Sequence, residues 1–273
     1  MKVSIIIPTY NRKEVLELVL KSLAYQSYDP KKYEVIVVDD GGNDGTDEMV
    51  KKMIKEVPYE LRYYWQERKG FRAGQARNLG VKHSKGEMII FLDSDVVVVP
   101  DFITEHVKVH KKSKKAVCIG YVSGHITGTL QNKNYDYEEV KEIIDNNPDQ
   151  ITQLEIIPEY REEIYQKCNN SLNRYKNPWE AFYTNNVSIL KKNLKKFDEN
   201  FIGWGYEDID LGYRLFKKKL KFNLNRYALG YSLDKKESHP CPMFDPQKDK
   251  FEKTLENIKR LAKKHSSKDI KEY

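Results

Sequence analysis

The sequence predicts an α/β fold: a mostly parallel central sheet flanked by helices. Three observations carry that expectation. Short, mostly apolar strands recur at residues 3–7, 34–38, 61–65 and 88–92, helical patterns fall between them, and two of the strands end abruptly in paired carboxylates. Strands without polar alternation are covered on both faces, as in a parallel sheet crossed by helices.

Taken in order, 3–7 is a β-branched run ending at Pro8. Residues 13–25 carry a helical stripe of Val15, Leu16, Val19, Leu20 and Leu23. Strand 34–38 is followed by a helix over 46–57, strand 61–65 by a helix over 73–83, and then comes strand 88–92. Beyond Asp101 the pattern loosens. Acidic helical pieces at 137–144 and 159–165 lie among amide-rich stretches, with frequent aromatics (Tyr121, Tyr135, Tyr137, Tyr160, Tyr165, Tyr175, Trp179). Core packing accounts for most of these rings, and stacking on a sugar or peptide is the alternative. Regular structure resumes with a helix over 206–218 and short strands at 221–224 and 228–232. The tail from 247 reads as a charged helix with one apolar stripe: Phe251, Leu255, Ile258 and Leu261.

Composition narrows the class. The 273 residues are 39% hydrophobic and 33% charged, too apolar for a disordered chain. No apolar run approaches the roughly 18 residues of a spanning helix. The start offers no secretory core, and Cys118, Cys168 and Cys241 suggest neither a disulfide framework nor a structural zinc site. The default setting is therefore cytoplasmic. A net charge of +7 admits nucleic acid, anionic membrane or a phosphorylated ligand.

Two clusters sit where parallel sheets bind ligands, outside the carboxyl ends of their strands. Val35–Val38 runs into Asp39-Asp40-Gly41-Gly42, and Met88–Leu92 runs into Asp93-Ser94-Asp95. Carboxylates this close repel unless a cation or protons intervene. A hard divalent ion on a nucleotide diphosphate would answer that need, and turn or cap roles are the plainer alternative. A third cluster, Gly203-Trp204-Gly205-Tyr206-Glu207-Asp208, suggests a pocket floor beside a carboxylate able to act as general base. Its acids would also complement a helix dipole, and Asp210 with Arg214 reads as a surface i,i+4 pair.

These motifs together resemble the family 2 glycosyltransferases. The resemblance rests on Val3-Ser4-Ile5-Ile6-Ile7-Pro8-Thr9-Tyr10-Asn11-Arg12, the Asp39-Asp40-Gly41 strand end, Gly74-Gln75-Ala76-Arg77-Asn78-Leu79-Gly80 and Phe91-Leu92-Asp93-Ser94-Asp95. Phe197-Asp198-Glu199 and Gly203 through Asp208 resemble the galactosyl- and N-acetylgalactosaminyltransferase branch. The resemblance implies a GT-A fold over 1–246, with a Rossmann-like nucleotide-sugar half (1–100), an acceptor half (101–246) and an appended helix (247–273). It implies an inverting, metal-dependent transfer of a hexose from a UDP-sugar to a hydroxyl of a saccharide, glycolipid or glycopeptide. Pro8, Tyr10, Asp39 and Asp40 would then meet the base and ribose. Arg12, Arg72, Arg77, Asp93, Ser94 and Trp204 would line the nucleotide-sugar. Asp95 and His239 would hold Mn²⁺ or Mg²⁺, Asp208 would be the base, and Glu207 would bind hydroxyls.

Other classes fit less well. A sugar-nucleotide pyrophosphorylase would be expected to show a glycine-rich loop after the first strand, and Gly41-Gly42-Asn43-Asp44-Gly45 lacks dinucleotide-binding spacing. A binding module on a degenerate transferase scaffold would be expected to lose the carboxylates. The charge is uneven, with nine Lys or Arg against five acids in 248–273. That tail reads as a solvated helix surface or as a peripheral contact with an anionic membrane. No motif supports nucleic acid.

Overall fold

The computed structural model describes residues 1–124, 135–233, 248–265 and 270. The first half alternates β1 (Val3–Thr9), α1 (Lys13–Ala24), β2 (Tyr33–Asp39), α2 (Thr46–Met53), β3 (Glu60–Trp65), α3 (Ala73–His83) and β4 (Met88–Leu92). Then follow β5 (Val96–Val98), α4 (Phe102–Lys112), β6 (Ala116–Ser123), α5 (Tyr137–Asn146), α6 (Glu162–Lys167), β7 (Asn186–Leu190), α7 (Glu207–Lys217), β8 (Lys221–Ser232) and α8 (Lys248–Lys264).

The strands form one eight-stranded sheet in the order β3-β2-β1-β4-β7-β6-β8-β5. Its β3-β2-β1-β4 half is wholly parallel. Direction reverses at β7, which is antiparallel to β4 and β6, so the whole sheet is mixed. The continuous apolar strands have a direct cause. Val3, Ile5 and Ile7 of β1 enter one core with Val15, Leu16 and Val19 of α1, while Ile6 enters the opposite core with Phe91. Both faces are covered, so β1 is apolar from Val3 to Pro8 except at Ser4, which is buried and donates to Glu34 of β2.

Strand β7 and helix α4 had no clear signature, because they bury polar residues. On β7, Ser188 Oγ meets His106 Nδ1 at 2.9 Å and His110 Nε2 at 2.8 Å. Asn186 Oδ1 meets His106 Nε2 at 2.9 Å, and its amide donates to the Ala228 carbonyl. Burial pushes His106 down to about 3 and His110 to about 4, keeping both rings neutral. The strands expected at 221–224 and 228–232 are one strand with a register shift: Gly120 faces Asn225, but Tyr121 faces Leu229. The extra residues leave Tyr227 exposed and send Arg226 to Glu162 at 2.7 Å.

Most aromatics of the middle segment are indeed core. Arg161 is fully buried, ion-paired to Glu159 at 2.6 Å and surrounded by the rings of Tyr160, Tyr165 and Tyr183. The tail helix differs from expectation in its buried face. Thr254, Asn257 and Leu261 are buried, whereas Leu255 and Ile258 are each 37% exposed. The inward face is partly polar because what it meets is polar, namely loop carbonyls and the carboxylates of Asp198 and Asp210. No helix among the described residues is long and apolar enough to cross a membrane.

Candidate active site

Parallel register brings the ends of β1, β2 and β3 to one edge, with Thr9 beside Asp39 and Asp39 beside Trp65. Pro8 and Tyr10 lie there, partly exposed. Asp40 is 4% exposed and accepts from Arg68 Nη1 at 2.6 Å, Gln66 Nε2 at 2.7 Å and the Arg72 backbone N–H at 3.1 Å. The Arg68 guanidinium in turn lies 3.7 Å over the Tyr10 ring. Arg68 comes this close because position 41 is glycine. There φ is +84°, and a Cβ would stand 2.6 Å from Arg68. Asp39 plays a different part. It accepts from the Gly42 N–H at 2.7 Å and Tyr63 Oη at 2.9 Å, which makes it a turn-holding residue, and burial raises its pKa.

At the end of β4, Asp93 and Asp95 flank the buried Ser94. They turn to different cations: Asp95 pairs with Arg12 from the β1–α1 connection, and Asp93 pairs with Arg77 of α3 at 2.9 Å. Arg77 also reaches Glu207 Oε1 at 3.1 Å. This one guanidinium, 5% exposed, therefore joins the carboxyl end of β4 to the first turn of α7.

The approach to α7 is bent by a left-handed run. Gly203, Gly205 and Tyr206 have φ of +88°, +84° and +74°, and only glycine takes such values without strain. The run exposes part of Trp204 and starts α7 at Glu207 and Asp208. Asp208 accepts the Ile209 N–H at 2.8 Å. Burial first, and then the neighbouring Glu207 charge, push its carboxyl up to about 8. Glu207 is raised as well, and its Oε2 has no hydrogen-bond partner among the described residues. With one arginine serving Asp93, Glu207 and Asp208, the cluster holds a proton readily, which suits acid–base work.

Asp210 is not on the surface. It is fully buried and holds Arg214, Lys264 Nζ at 2.8 Å and His265 Nε2 at 2.7 Å. The expected i,i+4 pair forms, but inside a cluster that fastens α8 to α7.

For a metal, the chemistry of Asp95 fits: a carboxylate 22% exposed at the strand end, matched to a hard divalent cation. His239 lies outside the described residues. Among the described residues no three His, Cys, Asp or Glu side chains form a metal-holding group.

Residues 4–161 match glycosyl transferase family 2. The chain belongs to that family. Residues 166–237 of this family 2 member also match the N-terminal domain of galactosyltransferase. It is 28% identical over 273 residues to validoxylamine A glucosyltransferase of Streptomyces hygroscopicus subsp. limoneus, covering 97% of this chain and 57% of the relative. It is 32% identical over 237 residues to chondroitin synthase of Pasteurella multocida, covering 84% of this chain and 24% of that protein. The family 2 chain thus spans little more than half of the first relative and a quarter of the second. Its fold is that of GT-A enzymes: GalNAc-T7, solved with UDP, GalNAc and Mn²⁺, superposes with a TM-score of 0.62 at 16% identity, over 94% of this chain and 48% of that one.

Several residues that contact the candidate site of this family 2 chain escaped the sequence reading. Gln66 and Arg68 sit in the loop after β3, where nothing marked them apart from Arg72. Asn185, 3% exposed, gives its carbonyl to the Asp93 N–H, while neither side-chain amide atom has a hydrogen-bond partner among the described residues. Two amides heading an apolar strand, Asn185-Asn186, were the available signal.

Proposed function

We propose that this chain transfers a hexosyl group from a UDP-sugar to a hydroxyl of a saccharide acceptor, free or carried on lipid or peptide, with inversion at the anomeric carbon. The observation that supports the reading is the Asp93–Arg77–Glu207 bridge, which ties the end of β4 to the first turn of α7, where Glu207 is followed by Asp208. The uridine would lie by Tyr10 and Asp40, and the diphosphate would run toward Arg12, Arg68 and Arg72. Asp208 would take the proton of the attacking hydroxyl as that oxygen bonds to C1 and the C1–O bond to phosphate breaks. The electron pair departs with UDP. Attack from the face opposite the leaving group inverts the centre, so an α-linked donor gives a β-glycoside. Glu207 and Trp204 would hold sugar hydroxyls and a ring face.

Asp95, with His239, would hold Mn²⁺ or Mg²⁺, and such an ion supplies Lewis-acid stabilisation of the diphosphate. Galactose, N-acetylgalactosamine and glucose are the sugars to try, in that order. The deciding experiment is UDP release from a panel of UDP-sugars with Mn²⁺ and a series of saccharide acceptors. Acceptor-stimulated release from one donor is expected. No release from any donor would overturn the reading in favour of a binding module.

A further inference from the structure

The loop that carries Trp204 is not held by its own neighbours alone. Asn257 of α8, 2% exposed, donates its side-chain amide to the Ile202 carbonyl and to the Gly205 carbonyl, both at 3.1 Å. These carbonyls bracket Gly203 and Trp204. On the same face of α8, Lys253 is so near that a Cβ at Gly203 would lie 2.9 Å from the Lys253 Cβ. Farther along, Lys264 bonds Asp198 at 2.6 Å, and Lys264 and His265 both meet Asp210, two residues beyond Asp208. Leu261 completes the face in the same core as Phe201 and Ile209. One helix therefore touches the chain before, within and after the Trp204 loop.

We infer that Asn257 is a positioning residue, and that α8 sets the conformation in which the Trp204 loop meets a sugar ring. The inference rests on the proposed role of that loop in the transferase. Its physical basis is the left-handed run at 203–206. Two glycines and a tyrosine with positive φ have many alternative conformations. Carbonyls turned inward need donors there, and the Asn257 amide supplies two from a single rigid group. An asparagine, with two amide hydrogens, can bridge two acceptors, whereas an aspartate would turn oxygens toward both carbonyls.

The test uses the full chain carrying Asn257→Asp or Asn257→Ala, each made in a Trp65→Phe background. Trp65 is exposed and Trp179 fully buried, so acrylamide quenching of fluorescence then reports mainly Trp204. Expected results are a Trp204 quenching constant raised about twofold or more as the ring gains freedom, and UDP affinity in Mn²⁺ unchanged. Transfer to p-nitrophenyl glycoside acceptors should fall by about 10- to 100-fold in kcat/KM, the scale of loss for a misplaced reacting group. Leu255→Ala, on the exposed face, should leave all three unchanged. Quenching and acceptor kinetics equal to the parent in both Asn257 variants would overturn the inference. So would an equal fall in UDP affinity, which marks a merely structural role. Failure of the transferase reading is separately visible, as absence of UDP release by the unmutated chain, and the quenching result still decides whether α8 holds the loop.

Discussion

Arg77 and Glu207, 130 residues apart in the chain, meet at 3.1 Å where α3 faces the first turn of α7. The guanidinium is 5% exposed and shared with Asp93. Removing it leaves the buried Glu207 and the half-buried Asp93 without their shared counter-ion. Arg77→Met is expected to destabilise the fold by about 3–5 kcal/mol, the cost of breaking a buried pair from one side. Arg77→Lys keeps the charge without the fork that spans two carboxylates, so it should recover part of the stability and little of the activity. Urea unfolding read beside UDP release checks both. A Met variant as stable as the parent would contradict the bridge.

Asp208→Asn should remain folded and lose about 10²–10⁴ in turnover. Its effect on stability has a definite sign. A carboxyl raised from 3.8 to about 8 binds its proton more tightly folded than unfolded. Its contribution to stability is therefore full below about pH 4 and is lost progressively as pH rises through about 8. The Asn variant should lack that decline, so its thermal midpoint should gain on the parent between pH 5 and 9. Parallel melting curves across that range would refute the assignment.

Much of this site was legible because acids at strand ends are a local signal: Asp40, Asp93 and Asp95 follow apolar runs, and Glu207 and Asp208 open an amphipathic helix. The partners were not legible. Whether Asp40 meets Arg68 or Arg72 depends on loop conformation after β3, and Asp39 and Asp40 divide into a turn holder and a cation-bound acid only once Gly41 sets the backbone. The fold shows the same division. Apolar β1, β2 and β4 were evident, whereas β7 was hidden because Ser188 and Asn186 satisfy buried histidines 78 to 82 residues away. The tail was legible as a helix, but its docking face was not, since Asn257 is inward only because two distant carbonyls await it.

Stacking of Arg68 on Tyr10 predicts a graded effect on the nucleotide. Tyr10→Ala removes a ring surface and frees the guanidinium, and UDP affinity should weaken by about tenfold, the equivalent of about 1.4 kcal/mol. Tyr10→Phe, which keeps the ring, should remain near the parent. Calorimetric titration with UDP distinguishes the two, and equal weakening would implicate the hydroxyl instead.

The pairing of Arg12 with Asp95 bears on metal dependence. Chelation with EDTA should abolish UDP release and Mn²⁺ should restore it. Asp95→Ala should raise the Mn²⁺ concentration for half-maximal release by at least the roughly 10–100-fold that loss of a ligand's supporting partner alone would cost. Identical Mn²⁺ titrations for parent and variant would remove Asp95 from the ligand set.

The reversal of strand direction at β7 has an evolutionary reach. Because β7 runs against β4, the stretch that leads into it arrives at the same rim where the early strands finish, and Asn185 hands its carbonyl to Asp93 at that junction. The four parallel strands make no ladder pairing with residues 148–185, so their register is set without that stretch, although its buried side chains, Trp179 and Phe182 among them, are tied to the core. In the proposed transferase, the choice of acceptor would then be separable from the hold on the nucleotide.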